Sequence, residues 1–243
     1  MLKICHLYPD VLNLFGDSGN VQCLIRRLEW RGIEYELTRV PIGKSIDFTQ
    51  FDLFFMGGGQ ELEREILLNE LRSGVDKEII AAVEDEKVFF CVGGWYQLMG
   101  QYGISLEGHQ TDYIGALDLH TVDGETRMVG NCMFSRVDDF SGSIVVGFES
   151  HTGKTYLGSN TKPLGEVIKG FGNNGEDGTE GARYKNVYCT YSHGPLLAKN
   201  PELADCILLA ALSRSNPSAL LEPLDDELEL NAHFYMKNRL GEK

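Results

Sequence analysis

The chain has 243 residues, enough to bury a sizeable core, and its 42% hydrophobic and 24% charged content is that of an ordinary globular protein. A net charge of −14 argues against a surface that neutralises nucleic-acid phosphates and against one that docks on an anionic membrane. No apolar run approaches transmembrane length, and Met1 to His6 enters a strand-like pattern without a secretory h-region, so a cytoplasmic location is expected.

Leu2 to Leu7 reads as a first strand, broken by Tyr8-Pro9-Asp10. Asn13 to Asn20 is dense in turn formers, and Asp17 or Ser18 is placed to cap a helix in which Val21, Leu24, Ile25 and Leu28 recur at helical spacing. Gly32 ends that helix, Ile33 to Val40 alternates as a half-buried strand, and Phe51 to Met56 is a short apolar run. It stops at Gly57-Gly58-Gly59-Gln60, a loop whose lack of side chains lets backbone N–H groups approach a ligand, or simply relieves steric strain. Ile79 to Val83 suggests an outer-layer helix. This alternation of strands and helices is that of a parallel α/β sheet.

Val88 to Val92 is a β-favouring run ending at Gly93-Gly94, after which Tyr96, Leu98, Met99 and Tyr102 share a helical face. Strand, glycine turn and helix make the geometry of a nucleophile elbow, and Cys91 is the thiol within reach of it. The six cysteines are scattered with no C-x-x-C pair, which disfavours zinc, thioredoxin-type and disulfide readings, and no metal site is expected.

Beyond Gly100 regularly spaced glycines punctuate short β-rich runs, Ser143 to Phe148 and Gly165 to Ile168 among them, suggesting an antiparallel section with hairpins. Phe171 to Gly178 reads as a long polar loop open to movement. Val187 to Tyr191 is a further strand that delivers Ser192-His193-Gly194-Pro195 to its end, where α/β sheets carry their sites. Pro201 to Ser213 reads as a helix, and 222–243 as a charged peripheral segment of a single domain, 1–243. A Cys91–His193 dyad would supply nucleophile, base and acid, although a histidine at a strand end is otherwise structural or exposed.

Several motifs in order carry a resemblance. These are Cys5-His6-Leu7-Tyr8-Pro9-Asp10, Asn13 to Asn20, Phe54 to Gln60, Gly147-Phe148-Glu149-Ser150-His151, and Lys185 to Pro195. Over residues 4–210 the chain resembles the GatD family, the glutaminase subunits of the MurT–GatD lipid II isoglutaminyl synthases, related to the cobyric-acid-synthase type of class I glutamine amidotransferases. The resemblance implies a class I amidotransferase-like α/β fold, with a mostly parallel central sheet flanked by helices and an added antiparallel section. It implies glutamine hydrolysis through a Cys–His pair and a γ-glutamyl thioester. The ammonia would pass to a MurT-like Mur-ligase subunit that amidates D-glutamate of the lipid II stem peptide. No cofactor is implied in this chain, since ATP and magnesium belong to the partner. His193 would be the base, and a backbone N–H of Gly57-Gly58-Gly59, Gly58 favoured, would form an oxyanion hole with the N–H following the nucleophile. Gly58 and Gly59 would contact the substrate, and Arg127 would hold the glutamine carboxylate. A cobyrinate-type acceptor is the alternative substrate, though no G-x-x-x-x-G-K-[ST] segment is present.

Two features depart from the family pattern. The position two after His193, where triad amidotransferases carry an acid, is Pro195, so the resemblance draws the third member from the partner subunit. The pattern Cys-Gly-Gly-Tyr-Gln is also broken. Aligning on Tyr96-Gln97 puts Gly93 in the nucleophile slot, whereas aligning on the strand and Cys-x-Gly puts Cys91 there. Two residues along a strand span about 7 Å, too far for a nucleophile unless the turn is rebuilt. The expectation is a shifted elbow with Cys91 as nucleophile; the alternative is a degenerate paralogue that binds or regulates the ligase.

Overall fold

The computed structural model describes residues 1–59, 61–137 and 142–241; Gln60 of the glycine loop and the terminal Glu242 and Lys243 lie outside the described residues. In chain order the first half runs β1 (Leu2–Leu7), α1 (Ser18–Trp30), β2 (Tyr35–Val40), β3 (Leu53–Met56), α2 (Glu61–Glu70), α3 (Asp76–Glu84), β4 (Val88–Val92) and α4 (Gly94–Leu98). The second half runs β5 (Tyr102–Ile104), β6 (Gln110–Asp112), β7 (Leu119–Arg136), β8 (Ile144–Leu157), β9 (Gly165–Lys169), β10 (Thr179–Glu180), β11 (Ala182–Tyr184), β12 (Val187–Thr190), β13 (Ser192–His193), α5 (Pro201–Ser213) and α6 (Glu227–Gly241).

Two sheets result. The first has the order β11-β12-β4-β3-β1-β2, parallel except for β11. Its central strands are apolar on both faces, as a sheet covered twice requires. Period-two alternation sends Phe54, Phe89, Cys91 and Cys189 into one core with Ile79, Val83, Trp95 and Tyr96, and Phe55, Phe90 and Val92 into the other with Leu24, Leu28, Leu203 and Ile207. Phe54 stacks on Phe89 with centroids 4.7 Å apart in the first core, and Phe55 meets Phe90 at 5.7 Å in the second.

The second sheet is the expected antiparallel section, save that β5 pairs with β7 in parallel. The long strands β7 and β8 form its spine, flanked by β9, β10, β5 and β6. The ladder between β7 and β8 is broken between Asp123 and Met128, so the intervening residues leave the pleat. Phe171 to Gly178 differs from the mobile loop expected, because Asn173 and Asn174 turn inward. Asn173 Nδ2 donates to the Gly181 carbonyl at 2.9 Å, and Asn174 Nδ2 donates to the Thr155 carbonyl at 3.1 Å. The C-terminal segment carries α6. The buried Arg27 of α1 joins it to the body, donating to Asp205 of α5 at 2.6 Å and to Asp226 just before α6. No helix among the described residues is long and apolar enough to cross a membrane.

The order β2-β1-β3-β4-β12 reverses direction between β1 and β3, and the loops leaving the C-terminal ends of β1, β3, β4 and β12 converge beside that point. Ligands of open α/β sheets bind at such a crevice.

Candidate active site

Four loops build the site. The glycine loop leaves β3, and the elbow leaves β4 on the adjacent strand, bringing Gly58 against Gly93. A methyl on Gly93 would stand 3.4 Å from Gly58 Cα. Gly93 has φ 59° and ψ −119°, the tight turn of an elbow, in a region that disfavours side chains. His193 arrives where the chain changes sheets. β12 pairs with β4 in the parallel sheet, and two residues later β13 pairs with β8, His193 opposite Phe148. The imidazole is almost wholly buried and meets Phe15 edge-on at 5.0 Å. Phe15 itself has φ 57°, a rare conformation for an aromatic residue, in the tight turn that delivers Asp17.

Asp17 is the residue that the sequence reading missed. It stands at the start of α1 but makes no capping bond. Its carboxylate is fully buried, lies 3.0 Å from His193 Nδ1, and accepts the Gly58 N–H at 2.8 Å. An acid beside the imidazole is therefore supplied in cis by the loop after β1, where the resemblance points to the partner subunit. The Gly58 N–H is correspondingly committed to Asp17, so Gly58 does not offer a free oxyanion-hole amide. Gly59 lines the cleft.

With Nδ1 facing a carboxylate, the other ring nitrogen faces the elbow. A methyl on Gly93 would lie 3.0 Å from His193 Nε2 and 2.7 Å from its Cε1. The imidazole thus occupies the room that a side chain at position 93 would need. Cys91 is elsewhere. It lies inside β4 in register with Cys189 and Met56, fully buried among core side chains. Burial first, then the neighbouring Cys189 sulfur, push its thiol well above the ordinary range, opposite to what a nucleophile needs. Of the two alignments, the one anchored on Tyr96-Gln97 describes the molecule, and the expected shift of the elbow toward Cys91 has not occurred. The physical reason is strand parity: position 91 shares the inward face with Phe89, and only position 93, past the strand's end, is released into the turn.

The elbow and His193 open onto a cleft of about 520 Å³, within the range of small-molecule sites. Arg127 lines it from the broken part of the β7–β8 ladder, anchored by Nε donating to Ser150 Oγ at 2.8 Å. The carboxylates of Asp123 and Glu125 line the same cleft, so both charges of a zwitterionic amino acid find an opposite sign there. Beneath, Gln97 Nε2 donates to Tyr191 Oη at 3.1 Å, and Tyr191 Oη lies 2.6 Å from Thr155 Oγ1. The His151 ring stacks on Tyr191 at 3.7 Å, and burial lowers its pKa to about 4, so it is neutral near pH 7. The buried Glu180 holds the strand leading to His193, accepting from Thr190 Oγ1 at 2.5 Å and from the Tyr191 N–H at 3.1 Å.

A buried imidazole–carboxylate pair over a glycine elbow at the switch point of a parallel sheet defines the frame of an amidotransferase-type α/β protein. The profile of the CobB/CobQ-like glutamine amidotransferase domain matches residues 3–201, and the chain belongs to that family. It is 36% identical to the protein named lipid II isoglutaminyl synthase (glutamine-hydrolyzing) subunit GatD of Staphylococcus aureus, over 98% of this chain and 96% of that protein. The protein of the same name from Streptococcus pneumoniae is 34% identical over 88% of this chain and 81% of its own length. Among solved structures, a glutamine amidotransferase from Thermotoga maritima superposes with a TM-score of 0.58 at 12% identity, covering 98% of this chain and 94% of that one, a likeness of fold.

Proposed function

We propose that this chain is the glutamine amidotransferase subunit of a two-component ligase of the lipid II isoglutaminyl synthase kind, with glutamine as the ligand of its cleft. Its partner is a MurT-like Mur-ligase subunit, which brings ATP and magnesium and amidates D-glutamate of the lipid II stem peptide. The near full-length similarity to two proteins named for that complex supports the partner and acceptor. The observation that carries the ligand is the Asp17–His193 pair facing an elbow in a cleft that also holds Arg127, a guanidinium able to take an α-carboxylate bidentately.

Glutamine hydrolysis by a Cys–His pair needs a thiol at the elbow. The thiolate attacks the amide carbon, the imidazole hands a proton to the departing ammonia, and water then opens the thioester. In this chain His193, paired with Asp17, faces the elbow and Arg127 lines the cleft, while position 93 carries no thiol and Cys91 is turned away. The subunit therefore works in the complex by docking and by holding glutamine.

The test is to co-express the chain with a MurT-like subunit, isolate the pair, and follow ATP-dependent amidation of lipid II with glutamine or ammonium chloride as nitrogen source. A stable pair that amidates with ammonium supports the reading. Failure of the two chains to associate overturns it.

A further inference from the structure

The imidazole of His193 has lost the thiol it would serve, yet it remains buried, oriented and open to the cleft. Its Nδ1 faces the Asp17 carboxylate at 3.0 Å. A carboxylate accepts, so Nδ1 carries the proton, and in the neutral ring Nε2 then keeps a lone pair on the side facing Gly93. That space is where the side chain of a bound amino acid meets the elbow, on the reading of the cleft as a glutamine site. A carboxamide brings two N–H donors to this point, whereas a carboxylate brings only acceptors and a charge facing buried Asp17.

We propose that the cleft binds glutamine without cleaving it, and that His193 Nε2, held as an acceptor by Asp17, selects a terminal carboxamide over a carboxylate. His193 is then a specificity-determining residue, and Asp17 is the positioning residue that fixes its tautomer. The geometry around Asp17 allows the arrangement to be inverted. Its Oδ2 accepts the Gly58 N–H at 2.8 Å, while Oδ1 lies 3.2 Å from Nδ1. An asparagine there keeps the first bond with its carbonyl and turns its amide N–H toward Nδ1. The proton is thereby moved to Nε2, which becomes a donor.

The experiment is calorimetric titration of the wild-type complex, and of the chain alone, with glutamine and with glutamate, alongside an enzymatic assay for glutamate released. The expected result is binding of glutamine, binding of glutamate weaker by roughly tenfold or more, and no glutamate release. Asp17→Asn should shrink that preference or reverse it toward glutamate, a change that loss of packing alone would not produce. Should that variant not fold, His193→Ala should reduce the preference for glutamine while Arg127 continues to bind the carboxylate of either ligand. Release of glutamate by the wild-type protein, or equal binding of the two ligands, overturns the proposal. A stable complex with no glutamine binding sinks this inference alone. Selective glutamine binding by a chain that never pairs with the ligase sinks the ligase reading alone.

Discussion

The carboxylate of Asp17 and the imidazole of His193 lie 3.0 Å apart across 176 residues of chain, and both are almost completely shielded from solvent. Gly58 completes the contact. A methyl there would stand 2.7 Å from His193 Cε1 and 3.0 Å from Asp17 Oδ2, inside any tolerable separation. Gly58→Ala should therefore push the pair apart, lowering stability by about 1–3 kcal/mol in urea denaturation and weakening glutamine binding by roughly tenfold in calorimetry.

Cys91 is a core residue. Cys91→Ala removes one buried sulfur from the face of β4 that packs on Cys189 and should cost about 1 kcal/mol of stability. Glutamine affinity and complex formation should not change. A loss of any ligand-dependent function without a loss of stability would return Cys91 to the chemistry.

Gly93→Cys places a thiol in the slot. The imidazole would have to shift, since the new Cβ would lie 2.7 Å from its Cε1, and the new side chain would sit at positive φ, a combined cost of about 2–6 kcal/mol. Glutamate release above the wild-type level should then appear, and His193→Ala in the same background should remove it. A variant that folds, binds glutamine and still releases none would show that the frame lacks more than a nucleophile.

Glu180 makes the support beneath His193 sensitive to pH. Burial raises its carboxyl from 4.5 to about 7, so the folded chain holds a proton there that the unfolded chain releases between those values. Stability from this group is full below pH 4.5, falls as pH rises toward 7, and is flat beyond, an overall difference of about 3 kcal/mol. His6 and His151, both lowered to about 4 by burial, act in the opposite direction and lose stability as pH falls below 6.5. The clean observable is therefore a difference between two proteins. The stability of Glu180→Gln relative to wild type should increase between pH 4.5 and 7, measured by denaturant unfolding at fixed ionic strength. A difference independent of pH would mean that Glu180 is ionised throughout.

The parallel sheet was legible because its strands announce themselves. Runs such as Val88 to Val92 and Phe51 to Met56 are apolar on both faces and end at glycines, and the corresponding strands are buried on both sides. His193 was legible because it follows such a strand directly. The lengths of β7 and β8 were not, because glycines within them, Gly124, Gly130, Gly147 and Gly153, read as turns while the structure carries both strands through them. Asp17 was hidden by its surroundings. In a run of turn formers before a helix an aspartate reads as a cap, and only the long-range return of β12 and β13 shows what it faces. The identity of the elbow residue was contained in the sequence in two incompatible alignments. Strand parity decides between them, and parity is known only once the register of Cys91 with Cys189 is known.

The glycine at the elbow has a pharmacological side. Reactive mimics of glutamine disable amidotransferases by alkylating the attacking sulfur, and here five of the six cysteines are buried while Cys23, half-buried on α1, lies away from the cleft lining. Such a compound would enter, rest against an imidazole already paired with its acid, and leave unchanged. Inactivation by a compound that depends on a thiol at the elbow would pass this subunit by.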